Sequence, residues 1–63
     1  MPYVSVKMLK GRTPDQKREL SKAITDALVQ ICGARPEGTM VTFEEFDKGD
    51  WAVGGQLVSD RDG

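Results

Sequence analysis

Histidine is absent from this chain, and cysteine occurs once, at Cys32. A single cysteine excludes an internal disulfide. Without histidine, one thiol and scattered carboxylates compose no recognisable metal site. The same absence leaves Cys32 without the usual base of a nucleophilic thiol, so it reads as a small hydrophobe at a helix end. No apolar run is long enough to span a bilayer. The strand-like, lysine-bearing start has neither the apolar core nor the cleavage site of a signal peptide. Lys and Arg are dispersed at a formal net charge of -1, which leaves no basic footprint for nucleic acid. The expectation is a cytoplasmic protein with a reduced thiol, needing no metal or cofactor and having neither nucleic acid nor membrane as a partner.

What remains is 63 residues read as one domain, 1–63. A chain this short is marginal alone. Small domains are held by disulfides, metals or partner subunits, and the first two have no support here. A homo-oligomer is expected.

Taken in order, residues 3–9 read as a strand, with Val4, Val6 and Met8 on one face and Tyr3, Ser5 and Lys7 on the other. Leu9 breaks the alternation. Lys10-Gly11-Arg12 is a turn in which Gly11 is free to take positive φ. Thr13 is a good N-cap, Pro14 suits the first helical position, and Gln16 completes a capping box. Asp15 complements the positive end of the helix dipole. Leu20, Ala23, Ile24, Ala27, Leu28 and Ile31 form an apolar stripe at helical spacing. Glu19 and Lys22 stand at pairing distance. Gly33 is a natural stop and Pro36 follows it, giving a helix over about 14–32.

After a loop at 34–38, residues 39–46 read as a second strand. Val41, Phe43 and Glu45 share one face, and Met40, Thr42, Glu44 and Phe46 the other. Strand, helix and strand form a βαβ unit with parallel strands and a right-handed crossover. A turn at 47–50 leads to Trp51-Ala52-Val53, a Gly54-Gly55 reversal and a hairpin arm at 56–58. Residues 59–63 read as a polar tail that frays. The fold class is α/β (α+β). Two strands and one helix cannot enclose a core, so apolar residues on both sheet faces require other subunits.

Three residues invite a chemical reading beside a structural one. Pro2 either begins a strand, where its missing N–H costs nothing, or becomes a terminal secondary amine once Met1 is removed, able to act as base or nucleophile. Arg12 is either a solvated turn arginine or an anion ligand. Trp51 is either a subunit-packing anchor or a pocket wall.

The succession Pro2, Met8-Leu9, Gly11-Arg12, Thr13-Pro14-Asp15-Gln16-Lys17, then Glu44-Glu45-Phe46-Asp47-Lys48-Gly49-Asp50-Trp51-Ala52-Val53-Gly54-Gly55 resembles the 4-oxalocrotonate tautomerase family over nearly the whole chain. The resemblance implies a βαβ subunit that dimerises through its sheet, with three dimers forming a hexamer. It implies an isomerase acting on small enol or keto acids, with Pro2 as general base, Arg12 on the substrate carboxylate, and Trp51 and Leu9 lining the pocket. A free α-amino group titrates at about 7.7–8.0. Apolar surroundings and a nearby arginine favour its neutral form, as a general base requires. One position departs from the family: Met40 stands where a second arginine is expected. Arg35, in the loop before the strand, is the nearest replacement. The departure points toward less charged enols such as arylenolpyruvates. Alternatives implied on the same fold are addition of water to an unsaturated acid, with Glu44, Glu45 or Asp47 positioning it, and a non-catalytic interaction module.

Overall fold

Alternation of apolar and polar side chains in the first strand becomes alternation of faces. The computed structural model describes residues 2–61. Met1, whose removal is expected, and Asp62 and Gly63 of the polar tail lie outside the described residues. β1 (Tyr3–Leu9) and β2 (Met40–Phe46) pair in parallel, with Tyr3 opposite Met40 and Leu9 opposite Phe46. In both strands the second, fourth and sixth residues are half-buried and the first, third and fifth exposed. Leu9 and Phe46 end the strands half-buried, as the break in alternation at Leu9 implies. Strict alternation places Phe46 on the face of Met40, Thr42 and Glu44. It is covered instead by Trp51, which meets its ring edge-on at 5.5 Å and 81°.

α1 (Pro14–Cys32) connects the two strands. The expected capping box is formed: the Gln16 amide donates to Thr13 Oγ1 at 3.1 Å, and the Thr13 amide to Gln16 Oε1 at 2.9 Å. Gly11, between β1 and the cap, takes φ 132°, a value that side-chain-bearing residues avoid. At the far end, amides of Gly33 and Ala34 close the carbonyls of Val29 and Leu28. Two ion pairs line the outer surface. Asp15 pairs with Arg18, and Lys22 pairs with Asp26 at 2.6 Å rather than with Glu19. Thr13→Ala is expected to cost about 1 kcal/mol per chain. It should be read as a lower midpoint of chemical denaturation at fixed protein concentration, since assembly also contributes to the measured stability.

The apolar stripe on α1 is divided in a way its periodicity does not reveal. Ile24, Leu28 and Val29 are half-buried together with Lys17, Ser21 and Thr25. Lys17 donates to Glu45 of β2 at 2.6 Å, which marks this side as the one facing the sheet. Leu20, Ala23, Ala27 and Ile31 lie about a quarter turn away, at roughly 100° per residue, and are exposed, Ile31 by 82%. Cys32 is exposed as well.

Past β2 the chain makes a short 3₁₀ turn at Lys48–Asp50, then the hairpin of β3 (Ala52–Val53) and β4 (Gln56–Leu57). Gly54 and Gly55 both have positive φ, 61° and 82°, as a two-residue hairpin turn of matching twist demands. Val58 belongs to the next turn rather than to the arm, donating its amide to Trp51 O at 2.8 Å. The first residues of the expected frayed tail are ordered in that turn, Val58–Asp60.

No described residue is buried. Tyr3 and Met40 on the open sheet face are 57% and 49% exposed, and Ile31 on the helix is exposed by 82%. Large apolar side chains left exposed on a chain without a buried core point to protein association. A folded subunit must cover it with other chains.

Candidate active site

The strand geometry separates the expected site residues into two groups. Pro2 precedes β1, and its carbonyl accepts the Met40 amide at 3.0 Å, which ties it to the start of β2. Arg12 lies beyond the other end. Seven strand residues intervene, and at about 3.3 Å each they span roughly 23 Å. One small molecule cannot touch both residues of a single chain.

The Arg12 end gathers Leu9, Phe46 and Trp51. Leu9 is paired with Phe46 across the strands, and the Lys10 amide donates to Phe46 O at 2.9 Å, extending the ladder. Trp51 packs on Phe46. Leu9 and Trp51 thus form one half-buried apolar wall, with Arg12 exposed beside it. Arg12 Nη1 lies 3.5 Å from Leu9 O, at the limit of a hydrogen bond, and its guanidinium has no ion-pair partner among the described residues. It is therefore free to accept an anion through two parallel N–H groups.

At the Pro2 end, a hollow of about 490 Å³ is lined by Pro2, Gly33, Ala34, Arg35, Glu37 and Gly38. Pro2 is half-buried there. The crossover creates this grouping: α1 runs back along the sheet, and its C-terminal loop ends beside the start of β1. Arg35 was considered for its closeness in sequence to Met40. Glu37 was missed altogether, because nothing in the linear pattern brings residue 37 to residue 2.

The three carboxylates considered for positioning water are each engaged elsewhere. Glu45 pairs with Lys17 at 2.6 Å, Glu44 is 3.6 Å from Lys7, and Asp47 is 3.1 Å from Lys10. Glu44, Glu45 and Asp47 all belong to the Arg12 half of the strand or just past it, remote from Pro2 in the same chain. Among the described residues no group of three His, Cys, Asp or Glu is arranged to hold a metal, and no helix is long and apolar enough to cross a membrane.

A parallel βαβ unit followed by a two-residue hairpin, with a proline ahead of the first strand, defines a tautomerase-type subunit. The family model described as tautomerase enzyme matches residues 2–61, and the chain belongs to the tautomerase family, whose members are isomerases. It is 47% identical over 62 residues to the 2-hydroxymuconate tautomerase of Bacillus subtilis, covering 98% of this chain and 100% of that one. The crystal structure of YwhB, a homologue of 4-oxalocrotonate tautomerase, superposes with a TM-score of 0.93 at 46% identity, covering 97% of this chain and 100% of that one. A heterohexameric 4-oxalocrotonate tautomerase from Chloroflexus aurantiacus has a TM-score of 0.91 at 26% identity, covering 98% of this chain and 100% of that one.

Proposed function

We propose that this tautomerase interconverts the enol and keto forms of a 2-hydroxy-dienoate or enolpyruvate-type carboxylate, with Pro2 as the base after removal of Met1. The observation that carries the reading is the half-buried Pro2 at the edge of a hollow large enough for a small acid. Its nitrogen removes the enol hydroxyl proton, the electron pair shifts through the conjugated system, and the resulting ammonium returns a proton to carbon. No cofactor enters that balance. Arg12 grips the carboxylate and attracts the charge that develops on oxygen. Leu9 and Trp51 exclude water from the same region.

Because Pro2 and Arg12 stand at opposite ends of β1, the site is built from two chains. Two sheets meeting in antiparallel sense bring the start of one β1 beside the end of another, and a two-fold axis makes a pair of such sites. Trimerisation of these dimers into a hexamer covers the remaining helix surface. The heterohexameric relative supports that assembly.

The test is ketonisation of phenylenolpyruvate and 2-hydroxymuconate, followed by absorbance on protein whose first residue is verified as Pro2. Arg12→Ala should raise KM or lower kcat so that kcat/KM falls about ten- to a hundredfold, the usual loss on deleting a charge-assisted hydrogen bond. Rates equal to those of the unsubstituted protein on both acids would remove Arg12 from the site.

A further inference from the structure

Arg12 stands on a turn with little of its own to hold it. The residue is exposed, and Gly11 before it takes φ 132°. Among the described residues its guanidinium reaches one acceptor, Leu9 O, at 3.5 Å. A Cβ at Gly11 would meet no heavy atom within 4 Å, so packing does not brace the turn at that point.

Both ends of the turn are nevertheless tied to successive residues at the close of β2. On the entry side, the Lys10 amide donates to Phe46 O at 2.9 Å, and Lys10 Nζ lies 3.1 Å from Asp47. On the exit side the tie is made by a side chain. Thr13 directly follows Arg12, and its carbonyl accepts the Lys17 amide at 3.1 Å, closing the first turn of α1. Lys17 Nζ then donates to Glu45 Oε1 at 2.6 Å. Glu45 stands opposite Met8 in the ladder and directly precedes Phe46, on which Trp51 packs. The helix start that follows Arg12 is thereby fastened to the strand that carries the apolar wall.

The two ion pairs in this frame differ in weight. The side chains of Lys10 and Asp47 are 61% and 64% exposed, a setting in which a pair contributes little. Those of Lys17 and Glu45 are 29% and 24% exposed, and no other ion pair among the described residues has both members half-buried. Such a pair is screened less by water and salt. Removing one partner leaves the other charge half-buried and uncompensated. The pair is not needed to begin the helix, because the Thr13–Gln16 capping box already serves that end. What it adds is a fixed distance between the start of α1 and the end of β2.

We propose that Lys17 and Glu45 are positioning residues for Arg12: their ion pair anchors the exit of the turn and so holds the guanidinium beside the wall of Leu9 and Trp51. The proposal rests on the reading of Arg12 as the carboxylate ligand. Neither Lys17 nor Glu45 touches the substrate. A guanidinium fork pays in orientation only when its base is held still, since two parallel bonds to a carboxylate require a fixed plane.

A double-mutant cycle separates positioning from stability. The measured quantity is kcat/KM for phenylenolpyruvate, on protein that begins at Pro2 and elutes as the same oligomer as the unsubstituted protein. Lys17→Met keeps an unbranched stem without the charge. It should lower kcat/KM about three- to tenfold where Arg12 is intact, and less than about twofold in an Arg12→Ala background. Glu45→Gln keeps the shape and an acceptor oxygen, and runs the same cycle from the other partner if Lys17→Met does not assemble. An equal loss in both backgrounds describes a structural bridge without influence on Arg12 and overturns the proposal, as does failure of both variants to assemble. Unchanged rates in both variants, while Arg12→Ala loses activity, overturn it and leave the carboxylate reading intact. A full rate in Arg12→Ala itself overturns that reading, and the positioning role falls with it.

Discussion

Protein that retains any residue ahead of Pro2 is expected to ketonise enol substrates about 10²–10⁴-fold more slowly than protein beginning at Pro2, the range associated with loss of a general base. An acylated proline nitrogen is an amide, with neither basicity nor a proton to return. Pro2→Ala makes a useful intermediate case. Once Met1 is removed it still presents an amine, so its loss should be smaller than that caused by acylation. The order Pro2, then Ala, then blocked is what separates proton transfer by the terminal nitrogen from a structural need for proline. Mass spectrometry must accompany every rate, because incomplete removal of Met1 would mimic a weak base. Equal rates from blocked and free protein would exclude the mechanism, whatever the effect of Arg12 substitutions.

Inactive chains should rescue one another. A chain blocked at Pro2 and a chain carrying Arg12→Ala are each expected to be nearly inactive as homo-oligomers. Unfolded together in equal amounts and refolded, they should recover about a quarter of the activity of the unsubstituted protein, because random association in a closed oligomer pairs an intact Pro2 with an intact Arg12 at one site in four. The separation of these residues by the length of β1 requires the effect: neither defect is repaired within its own chain. Recovery must depend on co-refolding, since mixing of assembled oligomers exchanges chains only as fast as they dissociate. If co-refolded mixtures stay at the sum of the two separate activities, Pro2 and Arg12 do not serve one site.

What the sequence made legible was decided locally. The Thr13–Gln16 capping box, Gly11, Gly33 and the Gly54-Gly55 turn are short-range features, and each appears where its residues predict. Strand alternation from Tyr3 to Leu9 was equally readable. The helix stripe was only half read. Periodicity identifies which residues are apolar on α1, but Leu20, Ala23, Ala27 and Ile31 are left exposed by their own chain, and hydrophobicity cannot say whose surface they cover. Val29, outside the expected stripe, lies on the side that faces the sheet. The site was legible as a set of residue types and not as an arrangement. Leu9 and Arg12 sit near Pro2 in sequence and far from it along an extended strand. Arg35 and Glu37 are remote in sequence and come to Pro2 through the crossover. Proximity along a strand therefore misleads, while the return of a parallel connection creates neighbours that no motif announces.

The lack of buried residues has a consequence for the life of the chain after synthesis. Folding is expected to be coupled to association, so the native fraction should be governed by how many copies are present as much as by temperature or denaturant. Dilution is expected to lower the stability of such a protein. A cell making too few copies would hold not a reserve of idle subunits but short, exposed polypeptides open to proteases, and activity would rise more steeply than expression.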